Sequence, residues 1–372
     1  MKESLEYSTV MKSVWLAATL LSFVLPASAG ELTQRPVLRF ALKAYTQPQA
    51  AEGVEFAADG RSVCVWWGPV PPEGDYTRLP LEFVVLDLFG NVLSVSRSAT
   101  NRAISLKDFP SISWRETQQV FMKGAKSWAF SRDFSRGLRF KEVTYNKYLA
   151  EMWVLPAEQK PIWVTALPYV GPKPVSLFFD TTDRTILVTG PLQEVVALQM
   201  QTGEIVDKFS LGPIESDAEL LKRKKRFRID VDLHDPGLQF IAGTLSLDSK
   251  KQLLAAGASD DKRVRVVGIA SHGQVVFEAN ADINPGLPWG GSWQVHRVQF
   301  LADGKYLLAE YFFGGRGTST TLLPTEIFET RTWKVVWKKN DLEIHSVTMS
   351  PDGTKIALLR GNTLEVLPFE KR

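Results

Sequence analysis

Two histidines occupy matching places in this chain of 372 residues, which holds four histidines in all. His296 and His345 each stand two residues before a valine that opens an apolar strand pattern. Two imidazoles on neighbouring repeats can bind a metal ion or an anionic group, whereas a capping hydrogen bond copied by duplication would produce the same pattern. Because the sequence indicates no further zinc or calcium ligands, we predict neither a metal nor a cofactor.

Aromatic residues gather in three segments that also carry glycine, proline or arginine: Trp66 to Arg78, Trp289 to His296, and Tyr311 to Arg316, which we predict as loops. Rigid rings in such settings suit stacking on a sugar or capture of a peptide, and packing between sheets is their alternative role. The candidate ligand-binding residues are Trp66, Trp67, Tyr76, Trp289, Trp293, His296, Arg316 and His345.

Enzyme signatures are missing from the sequence. It contains no Gly-x-Ser-x-Gly elbow, no His-Glu-x-x-His pair, no phosphate-binding loop and no dinucleotide fingerprint. We therefore assign no catalytic residue.

A repeated strand, turn and strand must position the candidate residues. In its clearest copy, Val347 to Leu358, apolar residues alternate on both sides of Ser350-Pro351-Asp352-Gly353, a sequence typical of a tight turn. The other copies run from Val54 to Val65, Leu177 to Leu187, Leu245 to Leu254 and Val298 to Leu308, with a weaker copy from Trp128 to Phe140.

Each copy is followed by a second hairpin, so each unit predicts a four-stranded antiparallel sheet. Six units are counted, and seven is the alternative if residues 97–127 hold a degenerate copy. The last unit lacks one strand, and Pro36 to Leu42 is a strand without a unit. Pairing the two would complete the last sheet and remove an exposed edge.

The stretch Ser350 to Ala357 resembles the repeat of WD-repeat and TolB-like β-propellers, and Val54 to Val65 and Val298 to Leu308 are weaker versions of it. The expected fold is all-β: a single β-propeller of six four-stranded blades, closed by pairing the N-terminal strand with the last blade. The resemblance implies a binding platform. The alternative is a metal-dependent lactonase-like or sugar-processing enzyme, with its site at the central channel near His296 and His345.

The first residues predict export. Lys12 precedes the apolar run Val14 to Leu25, and Pro26 to Ala29 ends in the small-x-small pattern of a cleavage site. We predict a signal peptide over residues 1–29, with Met11 as an alternative start, and a propeller domain over residues 30–372. The apolar run is too short to span a bilayer, so we predict no membrane span and a periplasmic or secreted location.

The composition of the chain limits the class of partner that we expect. The net charge of +3 gives no general argument for nucleic acid, and the single cysteine, Cys64, excludes a disulfide within the chain and predicts a small buried side chain. The basic run Lys222 to Arg228 fits a solvated insertion or an anionic contact. We expect a monomer that binds an extracytoplasmic protein, peptide or glycan, and no nucleic acid.

Overall fold

The computed structural model describes part of the chain, and every structural statement below concerns that part. It comprises residues 36–42, 53–67, 82–96, 128–130, 135–144, 147–154, 160–168, 176–179, 184–189, 194–211, 240–248, 250–258, 262–281, 291–315, 324–339 and 344–371.

The regular structure of these residues consists of β-strands in six four-stranded antiparallel sheets. Sheet 1 contains β2 (Gly53–Phe56), β3 (Ser62–Trp67), β4 (Glu82–Asp87) and β5 (Val92–Ser96). Sheet 2 contains β6 (Trp128–Phe130), β7 (Arg136–Thr144), β8 (Lys147–Val154) and β9 (Trp163–Ala166). Sheet 3 contains β10 (Ser176–Phe179), β11 (Thr185–Thr189), β12 (Glu194–Gln199) and β13 (Ile205–Ser210).

The remaining three sheets follow the same pattern. Sheet 4 contains β14 (Phe240–Asp248), β15 (Leu253–Ala258), β16 (Arg263–Gly268) and β17 (Gln274–Asn280). Sheet 5 contains β18 (Gly291–Leu301), β19 (Tyr306–Gly315), β20 (Thr325–Glu329) and β21 (Lys334–Lys339). Sheet 6 contains β22 (Ile344–Met349), β23 (Lys355–Arg360), β24 (Thr363–Pro368) and β1 (Leu38–Ala41).

This arrangement confirms the predicted fold class, an all-β propeller of four-stranded antiparallel blades, and the described residues form six of them. The weak copy from Trp128 to Phe140 is a real unit, sheet 2. As predicted, β1 pairs with β24, from Leu38 opposite Val366 to Ala41 opposite Thr363. The alternative of a seventh unit depends on residues 97–127, which lie outside the described residues.

Local turn chemistry forms the hairpins. In the turn before β23, Ser350 Oγ donates to Asp352 Oδ1 at 2.6 Å, and the Thr354 amide donates to the same oxygen at 3.0 Å. Hydrogen bonds lower the pKa of Asp352 to about 2, and the largest contribution comes from the Ser350 hydroxyl. The glycine of this turn, Gly353, has φ +76°, the left-handed region that glycine adopts at little cost.

Apolar side chains fix each sheet against the next. Five clusters of buried residues each join two consecutive sheets: 2 with 3, 3 with 4, 4 with 5, 5 with 6, and 6 with 1. The first strands of neighbouring sheets also contact each other, β6 with β10, β10 with β14, β14 with β18, and β22 with β2. The first strands therefore lie on the inside of the propeller. A sixth cluster, which includes the buried Cys64, lies within sheet 1.

Four outer strands share an irregularity that the sequence pattern did not reveal. Near the start of β5, β13, β17 and β21 the pairing register shifts, and one residue, the second of β5 and β13 and the third of β17 and β21, has no opposite residue. These bulged residues are Leu93, Val206, Val276 and Val336. A bulge bends an edge strand and disturbs the regular spacing of its outward amides and carbonyls.

Candidate recognition site

A long hairpin in sheet 5 carries the candidate residues that the structure describes best. Strands β18 and β19 pair from Leu301 opposite Tyr306 to Gly291 opposite Gly315. The pairing of β19 with β20 runs from Tyr306 opposite Glu329 to Glu310 opposite Thr325, and the Tyr311 amide donates to the Pro324 carbonyl at 2.9 Å. Residues 316–323, which precede Pro324, lie outside the described residues. We call the end of the β18–β19 hairpin, residues 291–295 and 311–315, the ribbon.

His296 lies at the base of the ribbon. The register of β18 shifts between Val295 and Arg297, which makes His296 the bulged residue, and its side chain is exposed. Its ring centroid lies 6.3 Å from that of Phe312 on the paired strand. An exposed imidazole beside an aromatic ring can donate or accept a hydrogen bond while the ring supplies an apolar contact.

His345 occupies the equivalent place in the next sheet. The register of β22 shifts between Ile344 and Ser346, so His345 is also a bulged residue on an inner strand. The matching offsets in the sequence therefore correspond to matching backbone positions. The side chain of His345 lies outside the described residues.

Arg297 holds the base of the ribbon in place. Its Nε lies 2.9 Å from Glu310 Oε2 and its Nη2 lies 2.9 Å from Glu310 Oε1, a two-point ion pair within the hairpin. The same Nη2 donates to the carbonyl of Val347 in sheet 6. Glu310 is 2% exposed, so this pair is a structural link between sheets 5 and 6 that the sequence analysis did not identify. The signal available in the sequence was that Arg297 and Glu310, with opposite charges, stand on either side of the turn at Asp303.

The predicted loop from Tyr311 to Arg316 is corrected by the structure, because Tyr311 to Gly315 belong to β19. Tyr311 is fully buried, and its hydroxyl donates to Glu326 Oε2 at 3.1 Å. Burial, together with the negative charge of Glu326, raises the pKa of Tyr311 well above its ordinary value. Tyr311 is thus a core residue. The prediction assumed a strand of ordinary length and therefore placed the aromatic residues and the two glycines in a loop, whereas β19 has 10 residues and includes them.

The tryptophans predicted to bind a ligand do not all lie in the loops that the sequence had predicted. Trp66 and Trp67 end β3, rather than lying in the predicted loop after it. Trp66 is 6% exposed, and its indole covers Gly53, where a Cβ atom would lie 2.2 Å from the ring. Trp293 lies in the ribbon opposite Phe313, and the side chains of Trp67 and Trp293 lie outside the described residues.

Three further candidates, Tyr76, Trp289 and Arg316, and the basic run Lys222 to Arg228 lie outside the described residues altogether. Within the described ranges, no three histidine, cysteine or acidic side chains lie together in a way that could hold a metal ion. The same ranges contain no helix long and apolar enough to cross a bilayer.

Comparisons with known proteins find likenesses among solved structures. No family model matches the chain. No curated protein matches it either. The chain is similar to the crystal structure of the β-propeller domain of Cps50 (Swd1) from Myceliophteria thermophila, with 13% sequence identity, a TM-score of 0.45, and coverage of 87% of this chain and 99% of that one.

Proposed function

We propose that this protein is an exported binding platform that uses the end of the propeller bearing the ribbon to recognise an extracytoplasmic protein, peptide or glycan. The observation that carries the proposal is the ribbon itself. It continues the pairing of β18 with β19 as far as Gly291 opposite Gly315, and at its base the exposed His296 lies beside the partly buried Phe312.

The contacts that fix the base of the ribbon support a role in recognition. The ion pair of Arg297 with Glu310, and its hydrogen bond to Val347, fix the base of the hairpin to two sheets. A preorganised surface loses little conformational entropy when a ligand binds. Aromatic side chains in a binding surface offer large contact areas at low entropic cost, which is why Trp293, opposite Phe313 in the ribbon, is chosen for the test.

The test compares three single variants for partner recovery. Affinity capture from the extracytoplasmic fraction, followed by direct titration of the recovered partner or glycan, is made with the unaltered protein, His296→Ala, Trp293→Ala and Lys334→Ala. Lys334 is an exposed residue of the same sheet, at the turn that opens β21 and therefore at the opposite end of the sheet. We expect at least tenfold weaker binding for Trp293→Ala and no change for Lys334→Ala.

Equal binding by all four proteins would contradict a recognition site at the ribbon. Export is tested separately, by fusing residues 1–29 to a reporter that is active only outside the cytoplasm. A reporter that stays inactive would contradict the proposed location without affecting the site.

The enzyme alternative rests on the matching bulges that carry His296 and His345. Elemental analysis of protein purified without chelators distinguishes the two functions. One equivalent of a metal that is lost in a variant combining His296→Ala with His345→Ala would favour the enzyme. Protein that binds a partner and carries no metal would favour the platform.

A further inference from the structure

The outer edges of the sheets are not equivalent. Four outer strands carry the bulge described above, whereas the pairings of β1 with β24 and of β8 with β9 show no register shift. On β1 the exposed Arg39 pairs with Glu365, and a charge of this kind protects an edge from added strands. β9 contains no charged residue, and from Trp163 to Ala166 its pairing with β8 is regular.

Strand β9 presents apolar side chains to solvent. Ile162, directly before the strand, and Val164 within it are 48% and 50% exposed. The alternate residues hold the strand against sheet 3, since Trp163 Nε1 donates to the Met200 carbonyl at 2.9 Å and Thr165 Oγ1 donates to the Gly203 carbonyl at 2.7 Å. The face of β9 that carries Trp163 and Thr165 contacts sheet 3, and the face that carries Val164 is exposed to solvent.

The backbone of β9 has hydrogen-bonding groups that point away from its sheet. The Leu167 amide donates to the Tyr148 carbonyl at 2.9 Å, which places Leu167 and Thr165 at the positions that bond to β8. In an antiparallel ladder the intervening residues, Val164 and Ala166, direct their N–H and C=O groups outward. β9 is the last strand of its sheet, and no described strand pairs with that edge.

We propose that the edge of β9 binds an extended segment of a partner polypeptide, which joins sheet 2 as a fifth strand. Apolar residues at alternate positions of that segment would cover Ile162 and Val164. A second copy of this chain is the less suitable occupant. A strand of 4 residues buries far less than the roughly 1,200 Å² of a stable dimer, whereas a peptide of modest affinity needs only the edge. This site is separate from the ribbon.

The probe is a short fluorescein-labelled peptide of alternating valine and threonine, flanked by lysines. Fluorescence anisotropy measures its binding, and hydrogen–deuterium exchange follows the amides of residues 160–168. We expect binding to protect the Val164 and Ala166 amides. N-methylation of the probe amides on the edge-facing side should abolish protection, while N-methylation of the alternate amides should preserve it.

Two variants and a matched control locate the site. Val164→Pro removes the outward N–H and leaves the ladder to β8 intact, and Val164→Lys adds a charge to the edge. Each should weaken probe binding by about tenfold. Val276→Lys makes the same change on the bulged edge of sheet 4, where Val276 is 45% exposed, and should bind as the unaltered protein does.

Three results would overturn the proposal: no protection of residues 160–168, equal protection in Val164→Lys, or concentration-dependent self-association through β9 in place of probe binding. None of them bears on the ribbon, because Trp293→Ala tests that site alone. Loss of partner binding in Trp293→Ala with unchanged probe binding is expected if both sites exist.

Discussion

Single polar residues determine the turns of this propeller. Asp352 and Asp87 both accept hydrogen bonds from groups within two to four residues along the chain. The Asp87 pKa is lowered chiefly by the Asn91 side-chain amide, which donates to Oδ2 at 2.7 Å. The sequence predicted these turns because their chemistry is local.

At this scale we predict the titration of Asp352. Its folded pKa of about 2 lies below the ordinary aspartate value of 3.8, so its contribution to stability is present above about pH 4 and is lost as the pH falls through 2. Ser350→Ala removes the largest cause of the shift. We expect the carboxyl titration of Asp352, followed by NMR, to move toward 3.8 in this variant.

Thr354→Val is the companion variant, because it removes only the weaker contact from Thr354 Oγ1 to Asp352 Oδ2 at 2.8 Å. The shift it causes should be smaller than that of Ser350→Ala. An unchanged titration in Ser350→Ala would show that Ser350 does not hold the carboxylate.

At the scale of secondary-structure elements, the hairpins could be predicted from the sequence, whereas the pairing register of the strands could not. Apolar alternation and turn residues lie within a few positions of each other, so the sequence located sheet 2 even from a weak copy. The bulges at His296 and Leu93 depend on which residues of the neighbouring strand lie opposite, and periodicity carries no such information. For the same reason Tyr311 was wrongly predicted as a loop residue.

Turns also connect one sheet to the next. Gly273, with φ +83°, lies where a Cβ atom would be 2.7 Å from the Ser210 carbonyl oxygen of sheet 3. Gly361, with φ +52°, has open space around the same position. Alanine is strained at both glycines, but it collides with backbone at only one of them.

We therefore expect Gly361→Ala to lower the free energy of unfolding by about 1 kcal/mol, the cost of a left-handed residue. Gly273→Ala should lower it by about 2 kcal/mol more, since the backbone of β13 must move. Urea denaturation of both variants measures the difference. Equal losses would mean that the junction between sheets 3 and 4 is loose.

Across the whole molecule, the ends of the described chain are tied together by sheet 6. Leu42, directly after β1, is fully buried and packs in the cluster that joins sheets 6 and 1. Its amide also donates to the Asn362 carbonyl at 2.8 Å. The pairing was predictable because a missing strand and an extra strand stood at opposite ends of the repeats.

The recognition site was only partly predictable. Equal offsets located His296 and His345, but the burial of Trp66 depends on Gly53 in the adjacent strand. An aromatic residue in a sequence does not indicate whether its ring meets solvent or a neighbouring strand.

At the scale of the whole fold we predict that Leu42→Ala lowers the free energy of unfolding by about 2 to 4 kcal/mol, from lost burial and a cavity. Arg39→Ala, which removes an exposed ion pair of the same segment, should cost less than about 1 kcal/mol. Chemical denaturation followed by tryptophan fluorescence checks both. A Leu42→Ala loss as small as that of Arg39→Ala would mean that β1 adds little to the fold.

The pairing of β1 with β24 also determines when sheet 6 can form during synthesis of the chain. Among the described strands β1 leaves the ribosome first, and its partner leaves last. Thr363, the first residue of β24, follows Ala41, the last residue of β1, by 322 positions (363 − 41). At roughly 5 to 20 residues per second, their synthesis takes about 16 to 64 seconds. Throughout that interval β1 has no strand to pair with. A chain whose synthesis has not reached β24 therefore differs from one that contains β24 by an unpaired β1.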